Sequence, residues 1–347
     1  MTVELIELIA AQGVFRPRGH FSQLAVDHVP FDLLLGRESF EAAALTAVTG
    51  DDTAVGVLGP RGAGKSSLIA HVCAHLPDTH LALRVPVTGA DDPTSTSVVA
   101  AVALSQALDD IELERYQRET LERARSDTST QQRSPGGLRR GTLGGGVIPA
   151  QVHAELSTLR EDLTANRLAA ERLAGLERLI TILVARELQP VFVLEDTEAA
   201  VGGADRADVA SAFLAGPVHA FVHEVQAPCL IAIQDAFRAC DAFADLAAGM
   251  RLVEIPALDE NHARDALAAI VANRLLQHDV SGEATAVLTE EALVQLIAFY
   301  DETDRSLRFM LAALQSAAEY AADMRAQRIA DGHVRAAIAD WRARISA

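Results

Sequence analysis

Five short apolar runs stand out in the pattern of hydrophobic and polar positions along the chain. Each has the length of a strand and is rich in Val, Leu and Ile, which is typical of strands buried on both faces of a parallel sheet. They are TAVGVL (53–58), LALRVPV (81–87), PVFVLE (190–195), PCLIAIQ (228–234) and MRLVEIP (250–256). Because segments with helical periodicity separate these runs, the pattern predicts an α/β fold built on a doubly wound, five-stranded parallel sheet.

The pattern changes after residue 256, where helical periodicity replaces the strand-like runs. Four segments carry apolar positions at helical spacing, namely 260–276, 290–300, 306–326 and 331–345. They predict a small all-helical lid domain over residues 257–347, which follows an αβα core over residues 34–256.

Two further regions lie outside this regular alternation. Residues 1–33 predict an N-terminal helix, over residues 1–12, and an irregular extension. A long insertion at about 109–189 separates the second and third apolar runs, and it begins and ends with helical patterns. Its middle part, residues 126–149, is rich in Gly, Ser and Thr and is predicted to be flexible.

The first apolar run leads directly into GPRGAGKSS, residues 59–67, which fits the pattern GxxxxGK[ST] without a mismatch. A helical pattern follows, so the motif has the strand–loop–helix context of a phosphate-binding loop. In such a loop the glycines let backbone N–H groups surround a phosphate, and the N-terminus of the helix adds the positive end of its dipole. The alternative is a Gly-rich turn that only mimics the pattern, which the strand and helix on either side disfavour.

This motif predicts ATP and Mg²⁺ as cofactors, with Lys65 on the β- and γ-phosphates as a catalytic residue and the hydroxyl of Ser66 on the metal. Lys65 is also the only lysine of a chain that otherwise uses arginine. A compact ammonium on a flexible stem fits between phosphate oxygens where a planar guanidinium does not. The predicted nucleotide-binding residues of the loop are Gly59, Pro60, Arg61, Gly62, Ala63, Gly64, Lys65, Ser66 and Ser67.

The third apolar run ends in two acids, Glu195 and Asp196. Carboxylates at the end of a buried strand hold the Mg²⁺ water shell and orient the attacking water in P-loop ATPases, so both residues are predicted to be catalytic and metal-binding. The usual order in such ATPases is Asp followed by Glu. The reversed order, with the shorter carboxylate second, predicts slow turnover. The alternative is an ordinary exposed acidic turn.

Between about residues 34 and 340 the chain resembles the AAA+ ATPases. The resemblance is greatest to the initiator-type group of origin-recognition and cell-division-control ATPases, together with transposon-regulator ATPases. The phosphate loop is its most specific element, and weaker elements follow in the expected order. LGRE (35–38) is similar to the family's Gly-Arg-Glu element, which implies that Gly36 and Arg37 pack beside the adenine.

The resemblance also implies catalytic roles for residues further along the chain. CLIAIQD resembles the sensor-one strand, with Asp235 where the family usually has an amide, and SLRFMLAAL resembles the sensor-two helix, with Arg308 in the arginine position. Members of the family complete their site with an arginine from a neighbouring subunit. Arg251 is the first candidate for that arginine and Arg238 is the second. The alternative for both is a solvated surface arginine. The alternative for Arg308 is an ordinary charge on the helix surface.

The composition restricts the partners and the compartment. With 48 acidic and 30 basic residues the net charge is −18, so nucleic-acid binding cannot rest on overall electrostatics and needs a local basic patch. The candidate for such a patch is the segment with Arg133, Arg139 and Arg140, because a flexible basic loop suits a DNA backbone; a disordered insertion without a ligand is the favoured interpretation of this segment. Three cysteines without a CxxC pair, and the lack of a signal peptide or membrane-spanning run, predict a cytoplasmic protein without membrane contact.

Together these observations predict an ATP-dependent molecular switch that binds ATP between the subunits of a homo-oligomeric ring or filament and hydrolyses it slowly. A role on DNA, in a mobile element or in defence, is implied by the resemblance alone. The alternative from another class is a nucleotide-bound scaffold or signalling protein with little hydrolysis, which the Glu195–Asp196 order and Asp235 favour. A remodeller of proteins is least favoured, because the segment after the second apolar run lacks the aromatic residues of a pore loop.

Overall fold

The structure is a computed structural model. It describes residues 2–17, 21–31, 40–50, 54–109, 169–195, 206–225, 227–256, 262–280 and 284–346, together with residues 111, 159, 197, 201 and 258. The predicted flexible segment 126–149 lies outside these residues.

A five-stranded sheet forms the centre of the fold, with the strand order β2-β3-β4-β1-β5. The strands are β1 (Ala54–Gly59), β2 (His80–Pro86), β3 (Gln189–Glu195), β4 (Cys229–Gln234) and β5 (Arg251–Glu254). Strands β2 and β3 pair in parallel from His80 opposite Gln189 to Pro86 opposite Glu195, and β3 pairs in parallel with β4. The predicted α/β class with a five-stranded parallel sheet is confirmed, and the strand ends differ from the predicted ones by at most two residues.

Burial along the strands explains why the sequence pattern was informative. Every residue of β1 is buried, and in β3 only Gln189 is partly exposed, so both strands need the continuous apolar runs that the sequence shows. The edge strand β5 buries only Val253 fully. It is accordingly the shortest strand of the sheet, and the predicted run 250–256 overestimates its length most.

Helices make up most of the remaining described chain. The bounds are α1 (Thr2–Gln12), α2 (Phe21–Asp27), α3 (Phe40–Thr49), α4 (Lys65–Ala74), α5 (96–109), α6 (Ala169–Val184), α7 (Ala207–Phe213), α8 (His219–His223), α9 (Asp241–Ala248), α10 (Ala263–Gln277), α11 (Ala284–Val287), α12 (Glu290–Glu302), α13 (Leu307–Asp323) and α14 (Asp331–Ser346). A π-helical turn, Leu214–Val218, joins α7 to α8. The four predicted C-terminal helices correspond to α10, α12, α13 and α14, and the short α11 between the first two is too brief to show a period.

The described chain separates into two compact units that do not follow the order of the sequence. The first unit comprises Met1–Glu41, Gly59–His71 and Glu254–Ala347, and therefore joins the N-terminal segment, the phosphate loop and the C-terminal helices. The second unit comprises Ala42–Leu58 and Val72–Val253. The predicted domain bounds, 1–33, 34–256 and 257–347, remain a prediction.

Each unit has its own apolar interior. In the first, α1 packs on α13, and the backbone N–H of Phe15 donates to the side-chain oxygen of Gln315 at 3.0 Å. In the second, side chains from the strands and from the helices that cover them form one buried cluster, which includes Leu83, Phe192 and Ile231. Among the described residues, no helix is both long enough and apolar enough to cross a membrane.

Candidate nucleotide-binding site

The phosphate loop runs from Gly59, the last residue of β1, to Lys65, the first residue of α4. Gly62 and Gly64 have φ angles of +77° and +105°, which side-chain-bearing residues rarely adopt. A Cβ added at Gly64 would meet no atom within 4 Å, so its backbone faces open space. The sequence therefore places glycine where the backbone must turn against the normal handedness and where a ligand can approach the main chain.

Lys65 is buried at the start of α4, with 5% of its surface exposed. Its ammonium donates to the carbonyl oxygens of Gly59 at 3.0 Å and of Pro60 at 2.8 Å. These bonds hold the positive charge inside the loop, at the helix terminus where the dipole already favours an anion. The loop, the lysine and the helix N-terminus together offer an anion site of the kind that a nucleotide phosphate requires.

The C-terminal helices contact the loop at Gly62. The backbone N–H of Arg308, in the first turn of α13, donates to the carbonyl oxygen of Gly62 at 3.3 Å. A Cβ built on Gly62 would lie 2.3 Å from Oγ of Ser306, the residue that caps α13. The turn before this cap holds Asp304 and Arg305 at φ angles of 50° and 58°. The side chain of Arg308 is exposed in the first unit, and its predicted role as sensor two remains a prediction.

The N-terminal segment contacts the other end of the loop through a buried histidine. Nδ1 of His28 lies 3.1 Å from Oγ of Ser67, and Nε2 lies 2.7 Å from Oε1 of Glu41. The Ser67 hydroxyl also donates to the carbonyl oxygen of Leu24 at 3.2 Å. Burial by itself would raise the pKa of Glu41, but hydrogen bonds from His28 and from the backbone N–H of Phe31 outweigh it and lower the pKa to about 2.

Glu195, in the second unit, is held by an arginine of the neighbouring strand. Nε and Nη2 of Arg84 donate to Oε1 and Oε2 of Glu195, each at 2.8 Å. The Glu195 side chain is only 8% exposed. A bidentate arginine–carboxylate pair of this kind forms two strong charge-assisted hydrogen bonds, and it occupies both oxygens of the carboxylate. Asp196 lies outside the described residues, while Thr197 donates its hydroxyl hydrogen to the carbonyl oxygen of Ala232 at 2.6 Å.

The remaining predicted catalytic residues of the second unit lie near the protein surface. Asp235 begins the 3₁₀ turn after β4. Its Oδ1 lies 3.5 Å from Nε of Arg238, and both side chains are less than half exposed. Arg251 is exposed on the edge strand β5. The structure thus shows an acid whose charge is partly offset by Arg238, and an arginine that is accessible to another molecule. Their roles as sensor one and as arginine finger remain predictions.

Several predicted residues lie outside the described ranges, namely Gly36, Arg37, Arg133, Arg139, Arg140 and Asp196. Conversely, sequence reasoning did not identify Arg84, His28 or Glu41. The sequence does indicate a role for Arg84, because it is the one charged residue within the otherwise apolar run LALRVPV. It does not indicate a role for His28 or Glu41, since their roles depend on contacts that only the folded chain creates.

The described geometry defines a P-loop α/β protein. No family model matches the chain, and no curated protein matches it. Among solved structures, the chain is similar to the Orc1 protein of Aeropyrum pernix in complex with DNA, with a TM-score of 0.49 and 16% identity over 90% of this chain and 66% of that one. It is also similar to Cdc6p from Pyrobaculum aerophilum, with a TM-score of 0.48 and 14% identity over 94% of this chain and 70% of that one.

A third similar structure is the Orc2 protein of Aeropyrum pernix in ADPNP–ADP complexes, with a TM-score of 0.46 and 14% identity over 86% of this chain. The chain spans about two thirds of the length of these proteins.

Proposed function

We propose that the chain binds ATP through residues 59–67 and acts as a molecular switch with slow ATP hydrolysis. The observation that carries this proposal is the loop itself. Two glycines with left-handed backbone angles precede a buried lysine at the start of a helix, and this lysine directly follows the turn out of a buried strand. That combination of backbone donors, dipole and ammonium is suited to the phosphates of a nucleotide.

We propose Mg²⁺ as the metal that accompanies ATP, with the oxygen atoms of Ser66, Glu195 and Asp196 as its ligands. The Ser66 hydroxyl lies in the first turn of α4, directly after Lys65, and Glu195 is the last residue of β3. Asp196 follows Glu195 in the sequence. When bound, the metal would neutralise charge on the phosphate oxygens, and oxygen atoms are the ligands that it prefers.

In the proposed switch Gly36 and Arg37 lie beside the adenine, and Arg308 and Asp235 act as the two sensors. Arg251 completes the site of a neighbouring copy.

Slow hydrolysis follows from the contact between Arg84 and Glu195. A carboxylate that already accepts two charge-assisted hydrogen bonds has less negative charge to offer to a metal shell or to a water molecule. The same contact supports the second candidate function, a nucleotide-bound scaffold with little turnover. The two functions share the binding site and differ only in whether ATP is consumed.

The test is ATP binding and hydrolysis by the purified protein, by Lys65→Ala and by a control variant, Arg335→Ala. Arg335 is exposed on α14, where it pairs with Asp331, far along the chain from the loop. We expect wild type and control to bind ATP alike, and Lys65→Ala to bind at least about tenfold more weakly. Equal binding by all three proteins would refute the proposed site.

Turnover then separates the two candidate functions. Hydrolysis that Lys65→Ala abolishes supports the switch, and tight binding without hydrolysis supports the scaffold. Adding double-stranded DNA tests the proposed partner. Stimulation that Arg139→Ala removes would support contact through the basic segment with Arg133 and Arg140, and turnover that is indifferent to DNA would support a protein partner.

A further inference from the structure

Asp27 and His28, neighbours at the end of α2, contact α4 and α10. His28 Nδ1 lies 3.1 Å from Oγ of Ser67 on α4, and Asp27 Oδ2 lies 2.8 Å from Nη1 of Arg274 on α10. The side chains of Asp27, His28 and Arg274 are 2%, 3% and 6% exposed. All four residues belong to the first compact unit. Two buried polar side chains on adjacent residues therefore link the phosphate-binding helix to the C-terminal helices.

The orientation of the His28 ring is fixed by Glu41. Because Glu41 is ionised at neutral pH, with a pKa of about 2, its carboxylate can only accept hydrogen bonds. Nε2 of His28 therefore carries the hydrogen and donates it to Oε1 across 2.7 Å, and the backbone N–H of Phe31 donates to the same oxygen at 2.9 Å. This leaves Nδ1 as the ring atom that faces Ser67.

On the other side, α10 holds Asp27 at two points. In addition to the ion pair with Arg274, the side-chain nitrogen of Asn273 donates to the backbone carbonyl of Asp27 at 3.1 Å. Arg274 also donates to the carbonyl oxygen of Arg16 at 3.5 Å. Separating a buried charge pair leaves both charges uncompensated in a low-dielectric interior, which is strongly unfavourable. Residues 27–28 and α10 are therefore expected to move together.

We propose that Asp27 and His28 are positioning residues that couple α10 to the first turn of α4. This inference rests on the proposed ATP binding. Ser67 lies two residues after Lys65, in the turn whose N–H groups would face the phosphates, so any adjustment of that turn reaches His28 directly. The adjacent Asp27 passes the adjustment to Arg274 and Asn273. ATP at the loop thereby changes the restraint on α10, and the state of α10 changes the affinity for ATP by the same factor.

Two substitutions at one position separate this role from a merely structural one. In His28→Gln the amide reaches the place of Nε2, so it keeps the contact with Glu41 and loses the contact with Ser67. In His28→Asn the shorter amide occupies the place of Nδ1, so it keeps the contact with Ser67 and loses the contact with Glu41. Both variants remove the ring, and they differ in which of the two partners stays bonded.

Two readouts are compared in the 347-residue chain with and without ATP: the ATP dissociation constant and hydrogen exchange of residues 263–277. We expect ATP to slow exchange in this segment of the wild type. His28→Gln should melt close to the wild type, bind ATP about threefold to tenfold more weakly, and lose the ATP-dependent slowing. His28→Asn should melt at a lower temperature but keep both the affinity and the slowing.

The inference is overturned if His28→Gln binds ATP like the wild type and shows the same ATP-dependent slowing in residues 263–277. It is also overturned if His28→Asn loses the slowing while His28→Gln keeps it, because the coupling would then run through Glu41. If His28→Gln does not fold, Asn273→Ala removes one of the two points at which α10 holds Asp27 and should weaken the slowing without touching the phosphate loop. Failure of the proposed function is distinct from these results, because the wild-type protein itself would then bind no ATP.

Discussion

The guanidinium of Arg84 on β2 forms two parallel hydrogen bonds with the carboxylate of Glu195 at the end of β3, each 2.8 Å long. The register places Pro86, two residues after Arg84, opposite Glu195, so the arginine side chain reaches along the strand to the carboxylate. Both partners lie in the second unit. Glu195, the first acid of the predicted catalytic pair, is therefore already hydrogen-bonded to an arginine of its own sheet.

Loosening this contact should speed ATP hydrolysis. Arg84→Lys keeps a positive charge beside Glu195 but can no longer bond both oxygens at once, which frees one oxygen for the metal shell or for water. We expect turnover to rise severalfold while the dissociation constant for ATP stays unchanged, measured by steady-state phosphate release and by equilibrium binding.

Arg84→Gln is the companion variant for stability. It removes the guanidinium that bonds both oxygens of the buried carboxylate, and we expect the free energy of unfolding to fall by about 3 kcal/mol in urea titrations. Turnover that falls in Arg84→Lys would contradict the argument, because Arg84 would then hold Glu195 in its working position.

Gly62→Ala should lower the stability of the folded protein for two separable reasons. The φ angle of +77° is strained for any residue with a Cβ, and that Cβ would lie 2.3 Å from Oγ of Ser306. We expect the free energy of unfolding to fall by about 2 kcal/mol or more, measured in urea.

Combining Gly62→Ala with Ser306→Ala separates the steric part from the backbone part. The second substitution removes the clashing oxygen, although it also removes the cap of α13, which alone costs about 1 kcal/mol. The double variant should therefore be more stable than the sum of the two single effects predicts. Strict additivity would mean that the contact between Gly62 and Ser306 does not restrain the loop.

The elements found from the sequence are those whose cause is local. The apolar runs predicted the strands because burial on both faces requires them, and the spacing of Gly59, Gly64 and Lys65 predicted the loop because backbone approach and charge require it. The bond between Arg84 and Glu195 depends on strand register across a separation of 111 residues, which no local pattern encodes. The contact of His28 with Ser67 likewise depends on how α2 packs on α4.

Glu41 should make stability depend on pH in the acid range. Its pKa is lowered from an ordinary value of 4.5 to about 2, so the folded state binds its proton less readily than the unfolded state does. The stabilisation is therefore fully present above about pH 4.5 and is lost as the pH falls towards 2, with a total of about 3 kcal/mol or less.

Urea unfolding of the wild type and of Glu41→Gln at pH 7, 5, 4 and 3.5 checks this dependence. The difference in stability between the two proteins should be largest at pH 7 and should shrink below pH 4.5. A difference that stays constant with pH would show that Glu41 contributes through packing and not through its charge.

Even a substitution of Lys65 that keeps the positive charge should not preserve ATP binding. Its ammonium is buried and donates to the carbonyl oxygens of Gly59 and Pro60, at 3.0 and 2.8 Å, in a space shaped for a compact group. A planar guanidinium has the same charge but spreads its donors over a wider fork. We therefore expect Lys65→Arg to weaken ATP binding at least about tenfold, nearly as much as Lys65→Ala.

Arg335→Lys is the matched control, because Arg335 is exposed on α14 and lies outside the proposed binding loop. It exchanges the same two side chains in the opposite direction, and we expect it to change the ATP dissociation constant by less than about threefold. If Lys65→Arg binds ATP as the wild type does, charge alone suffices at this position. The chain's single lysine, among 30 basic residues, would then need another explanation than the shape of the ammonium.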